Sequence, residues 1–103
     1  MPKKKIKTEK QTTKVVKAVF SGENIYSNKK EAFSLYEQSR FGEPKEGKVY
    51  YSFYEALFLL EKGKLTIEQK NKKMNFEKLL EKLKELDRKI ETKYFVFKDM
   101  RSR

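Results

Sequence analysis

YYSFYEALFLLEKGKL, residues 50–65, gathers apolar side chains in a chain of which 40% of the residues are charged. Ser52 followed by Glu55 makes an S-x-x-E capping box, and Gly63 stands where a left-handed residue ends a helix, so the stretch predicts a helix over Phe53 to Lys62. Phe53, Ala56, Leu57 and Leu60 fall on one face. Tyr54, Phe58 and Leu59 occupy most of the remainder and leave Glu55, Glu61 and Lys62 for water. A helix apolar nearly all round is buried on several sides. Phe53, Ala56, Leu57 and Leu60 are therefore read as core, with Gly63 as the structural stop, and the aromatic stripe as packing rather than a platform for bases.

Working outward, the chain length of 103 residues allows one domain with one modest core. With no cysteine and no histidine, the chain offers no disulfide, no thiolate zinc site and no imidazole base. No apolar run approaches the roughly 18 residues needed to span a bilayer, and a cytoplasmic protein without cofactor, metal or small-molecule substrate is expected. The glutamates alternate with lysines, and nothing groups them as oxygen ligands for a metal.

The net charge of +11 is uneven, with +6 of it lying before Ala18. Residues 1–13 combine a lysine run with threonines and little apolar surface, the composition of a flexible basic arm. Lys3, Lys4, Lys5, Lys7 and Lys10 would act there as phosphate neutralisers for RNA, with a solubilising tail as the plain alternative. Residues 14–103 form the expected domain.

Within it, KVVKAVF over 14–20, the turn SGEN and the following IYS predict a hairpin. Asn28, with Glu31 three residues on, opens a second helix ending near Arg40. FGEPKEG, residues 41–47, reads as a connection, and KVYYS over 48–52 as a short strand. KLTIE after Gly63 suits another strand. From Asn75 an amphipathic helix is expected, its stripe formed by Phe76, Leu79, Leu80, Leu83, Leu86 and Ile90. The closing ETKYFVFKDMRSR places Tyr94, Phe97 and Met100 at helical steps, with Arg101 and Arg103 as further candidate RNA contacts. A chain that stops while still helical and basic looks cut short. The expected fold is a small α+β domain, a short antiparallel sheet or hairpins packed against three to four helices.

The order LYEQSRFGEP, YSFYEALFLLEKGKL, YFVFKDMRSR resembles the N-terminal domain of archaeal tRNA-splicing endonucleases. Leu35, Tyr36, Phe41, Gly42 and Pro44 match the first motif of that family, Ser52, the run Glu55 to Leu60 and Gly63 to Leu65 the second, and Tyr94 with the run Val96 to Arg103 the third. The resemblance implies a unit lying beside a nuclease domain that carries a tyrosine, a histidine and a lysine as its catalytic triad. That nuclease domain has no counterpart in these residues, so no catalytic residue is assigned. What it implies is a non-catalytic structural or assembly domain, or a short subunit, of a tRNA-splicing endonuclease, to which precursor-tRNA binding could also fall. Its partner would be a nuclease-domain chain or a second copy of itself, reached through Tyr94, Phe95, Phe97 and Met100. The competing class is an autonomous small basic RNA-binding protein.

Overall fold

The computed structural model describes residues 15–101 of the chain. Val16, Ala18 and Phe20 alternate with Lys17, Val19 and Ser21, and the period of two sends the first set inward and the second to solvent. This is β1 (Val16–Ser21), joined through Gly22 and Glu23 to β2 (Asn24–Ser27) in the expected hairpin. After α1 (Lys30–Ser39) come β3 (Glu43–Lys45), β4 (Lys48–Tyr51), α2 (Phe53–Glu61), β5 (Leu65–Gln69), β6 (Lys72–Met74), α3 (Phe76–Leu86) and α4 (Ile90–Arg101).

Among the described residues the strands make one six-stranded sheet in the order β3-β4-β2-β1-β5-β6. All neighbours are antiparallel except β1 and β5, which run parallel with Val16 beside Leu65 and Ala18 beside Ile67. The class is α+β, as expected; the sheet is larger than short hairpins and is mixed. The inward side chains of β1, β2, β4 and β5 join Ala32 of α1, Ala56, Leu57 and Leu59 of α2, Leu79 and Leu83 of α3 and Ile90 of α4 in one core. The helices thus cover one face of the sheet.

Four local expectations are corrected. First, α1 does not start on an Asn28 cap. Its N-cap is Lys29, with no side-chain cap, and Ser27 does the local work: its Oγ accepts from the Lys29 N–H at 3.2 Å and donates to the Lys17 carbonyl at 2.7 Å. Second, residues 41–47 are more than a connection, because Glu43–Lys45 pairs with β4 as an edge strand. Pro44 is tolerated there, since an edge strand leaves one row of N–H groups unused. Third, β6 was unforeseen. Its two-residue turn, Lys70 and Asn71, takes φ of 52° and 65°, the all-positive geometry of a tight hairpin, without the glycine that usually advertises it.

The fourth correction concerns the long leucine helix expected from Asn75. Asn75 does cap it, accepting from the Lys78 N–H at 2.8 Å, but the helix ends at Leu86. Asp87 is extended, and its carboxylate accepts from the Lys89 N–H at 3.0 Å and from Lys93 Nζ at 2.7 Å. Those bonds hold a sharp break, and Ile90 opens α4 instead of closing α3.

Candidate functional site

The ends of α2 and the whole of α4 build the surface of interest. At the start of α2 the capping box forms as read: Ser52 Oγ accepts from the Glu55 N–H at 3.3 Å, and Glu55 Oε1 accepts from the Ser52 N–H at 2.9 Å. Ala56, Leu57 and Leu59 are fully buried, while Phe53, Phe58 and Leu60 are half-buried against the core. At the other end the Lys64 N–H reaches the Leu59 carbonyl at 2.9 Å and the Gly63 N–H the Leu60 carbonyl at 3.1 Å, a Schellman closure. Gly63 holds φ of 75°, which a side chain would oppose.

Glu61, on the last turn of α2, ties α4 down. Its carboxylate accepts from the Tyr94 hydroxyl and from Lys98 Nζ, the latter at 2.9 Å. Phe97 is the apolar anchor beside it, its ring 4.8 Å from Tyr54, 5.5 Å from Phe58 and 6.4 Å from Phe41, centre to centre. Arg101 lays its guanidinium 4.2 Å from the centre of the Phe41 ring. Such contacts are worth about 0.5–1 kcal/mol at an exposed site, so Arg101 helps seat the helix end while remaining exposed.

Among its exposed polar residues α4 also turns three large apolar side chains outward. Phe95 is 74% exposed, Met100 67% and Val96 51%. Phe95 lines two hollows at once: a cleft of about 440 Å³ with Phe58, Lys62, Lys98, Asp99 and Arg101, and a groove of about 530 Å³ with Phe76, Leu80, Glu91, Thr92 and Tyr94. Of the four residues expected to meet a partner, Tyr94 and Phe97 therefore turn mostly inward, and Phe95 and Met100 outward. Val96 was missed because periodicity marks the inward stripe, and an apolar residue off that stripe reads as noise. The arm lysines and Arg103 lie outside the described residues.

Residues 16–80 match the family described as tRNA intron endonuclease, N-terminal domain. The chain belongs to this family. The third motif, residues 94–103, lies beyond the matched span. Among curated proteins, the tRNA-splicing endonuclease of Thermococcus gammatolerans is 36% identical over 84 residues, which are 81% of this chain and 50% of that protein. The tRNA-splicing endonuclease of Pyrococcus horikoshii is 35% identical over 91 residues, 87% of this chain and 54% of the relative. That of Methanosarcina acetivorans is 32% identical over 88 residues, 85% of this chain but 25% of the relative. The chain thus spans about half the length of the first two and a quarter of the third. Among the described residues no group of three or more acidic, histidine or cysteine side chains is placed to hold a metal ion, and no helix is long and apolar enough to cross a membrane.

Proposed function

We propose that the chain is a non-catalytic assembly domain of a tRNA-splicing endonuclease, and that the outward face of α4 seats a nuclease domain. The observation that carries this reading is the exposure of Phe95, Val96 and Met100 on a helix otherwise pinned to the domain by Glu61 and Phe97. Apolar side chains in this density on a small, highly charged domain mark a contact surface. Lys62, Lys98 and Arg101 around the cleft supply a polar rim with a positive bias. The relatives carry a further stretch of about half to three quarters of their length that this chain does not match, and the occupant fits there, as a separate chain or as continuing sequence. Chemistry belongs to that occupant. A cytoplasmic setting and a precursor-tRNA substrate follow from the same reading.

The test mixes the purified chain with the unmatched half of the Pyrococcus horikoshii relative and follows complex formation by sedimentation. A stoichiometric complex, lost with Phe95→Ser, supports the reading. A strictly monomeric chain that captures nothing overturns it, and self-association that excludes the added half would assign the face to a second copy of this chain. Release of an intron from precursor tRNA by the highly purified chain alone would overturn the non-catalytic part.

A further inference from the structure

Tyr26, Tyr50 and Lys48 occupy the other side of the molecule, the sheet face that no described helix covers. Register places one row across all six strands there: Glu43 opposite Tyr50, Tyr50 opposite Tyr26, Tyr26 opposite Val19, Val19 beside Glu68 and Glu68 opposite Lys73. The two tyrosine rings are 5.8 Å apart at an angle of 41°, each half-buried, and Lys48 Nζ sits 5.0 Å from the centre of the Tyr26 ring. Lys48 also lies directly opposite Lys45. Like charges facing each other across a strand pair destabilise it, and an anion between them would reverse that. Beside Tyr26 runs a groove of about 390 Å³, lined also by Lys17, Val19, Asn28, Lys29 and Glu68.

We propose that this uncovered sheet face is an RNA-binding surface for unpaired nucleotides, with bases on Tyr26 and Tyr50 and phosphates on Lys45, Lys48 and Lys17. Charge complementarity names the occupant. Lys17 and Lys29 line the groove with Tyr26, Lys48 reaches its ring and Lys45 faces Lys48, against Glu43 opposite Tyr50 and Glu68 in the groove, and the chain as a whole carries +11. A protein partner would need a broader apolar patch than Val19 and two tyrosines provide. Duplex RNA has no free base faces to stack, whereas unpaired bases lie on aromatic rings without regard to sequence. The surface is separate from α4 and rests on the preceding reading only for RNA being the polyanion at hand.

The experiment titrates the full chain into a labelled unpaired oligouridylate of about 12 nucleotides, and into a duplex of equal length, following anisotropy. The intact chain is expected to prefer the unpaired strand. Tyr26→Leu and Tyr50→Leu keep apolar bulk on the sheet but lose the aromatic face, and each should weaken that binding by about tenfold. Tyr26→Phe should retain it, and Lys48→Gln should lower the salt slope by about one. Unchanged denaturation midpoints for all four variants show that the fold persists. Equal affinity for both RNAs, or leucine variants that bind the unpaired strand as well as the intact chain, would overturn the proposal. Phe95→Ser separates the two surfaces: it should abolish the α4 complex and leave oligouridylate binding as it was.

Discussion

Glu55 Oε2 accepts a hydrogen bond from the Gly42 backbone N–H at 3.1 Å, so the carboxylate that closes the α2 capping box also fastens the turn leaving α1. One side chain thereby sets the spacing of two helices. Glu55→Ala removes both functions and should cost about 1–3 kcal/mol, read from the urea midpoint. Gly42→Ala attacks the same junction sterically. Gly42 has φ of 87°, and a Cβ there would lie 2.4 Å from Val49 Cγ1 and 3.0 Å from Tyr51 Cε1, both inside the core. That variant should be destabilised at least as much as Glu55→Ala.

Leu57→Ala should open a cavity and cost about 2–5 kcal/mol, because Leu57 is fully enclosed. Leu60→Ala, on the same helix but half-exposed, should cost clearly less. Leu59→Ala should behave like Leu57→Ala. Equal melting shifts at positions 57 and 60 would mean that α2 is packed on a different face.

Acid stability should depend on Asp87. The Lys93 ammonium and the Lys89 N–H, in that order, hold its carboxyl below the ordinary carboxylate range. A lowered folded pKa contributes stability above the unfolded value of about 3.9 that is lost as pH falls through the folded value. Asp87→Asn should therefore lower stability at neutral pH and narrow the gap from the parent chain below about pH 4. Urea midpoints collected from neutral to strongly acid pH provide the check.

At the alkaline end Tyr51 takes over. Its hydroxyl is buried with no hydrogen-bond partner among the described residues, and burial first, then the neighbouring Glu55 charge, pushes its pKa well above the ordinary tyrosine value. A phenol kept neutral in the fold but free to ionise near pH 10 when unfolded favours unfolding as pH rises past that point. Tyr51→Phe should be neutral or mildly stabilising at pH 7, since the orphan hydroxyl is gone. It should also soften the loss of stability above pH 10, as measured by thermal melts.

Phe95 and Phe97 are two positions apart and should respond oppositely. Phe95→Ser changes an exposed side chain, so the isolated chain should keep its melting point within about 0.5 kcal/mol of the parent in stability terms. Phe97→Ser empties the centre of a four-ring cluster with Phe41, Tyr54 and Phe58 and should destabilise by several kcal/mol, about 3–5 if the gap stays open. Parallel melts decide it.

Much of the architecture was legible wherever one local signal sufficed. The S-x-x-E box at Ser52 and the glycine at 63 bounded α2 to within a residue, and β-branched alternation marked β1. Each miss has its own physical cause. Pairing of Glu43–Lys45 and of Lys72–Met74 depends on backbone turns whose residues, Glu46 with Gly47 and Lys70 with Asn71, lack the Asn-Gly signature. The break at Asp87 is invisible to periodicity because Ile90 continues the leucine spacing while belonging to the next helix. On α4 the stripe of Tyr94, Phe97 and Met100 could be read, but only Tyr94 and Phe97 turn inward, and the outward Met100 and Phe95 could be placed only once Glu61 and Tyr54 had fixed the helix rotation. The tyrosine pair of the sheet face required cross-strand register, which no single segment encodes.

The parallel pairing of Val16 with Leu65 has a consequence for how the chain is born. β1 leaves the ribosome about fifty residues ahead of the strand that completes it, which is a few seconds at about 5–20 residues per second. Through that interval the β1–β2 hairpin can close, but the other flank of β1 stays an open ladder of backbone groups, the kind of edge that recruits stray strands. Lys17 lies within β1 itself, and its charge discourages such pairing. Slow, long-range closure should therefore set the folding rate, and Lys17→Val should raise the yield of aggregated nascent chain more than it alters the stability of the finished domain.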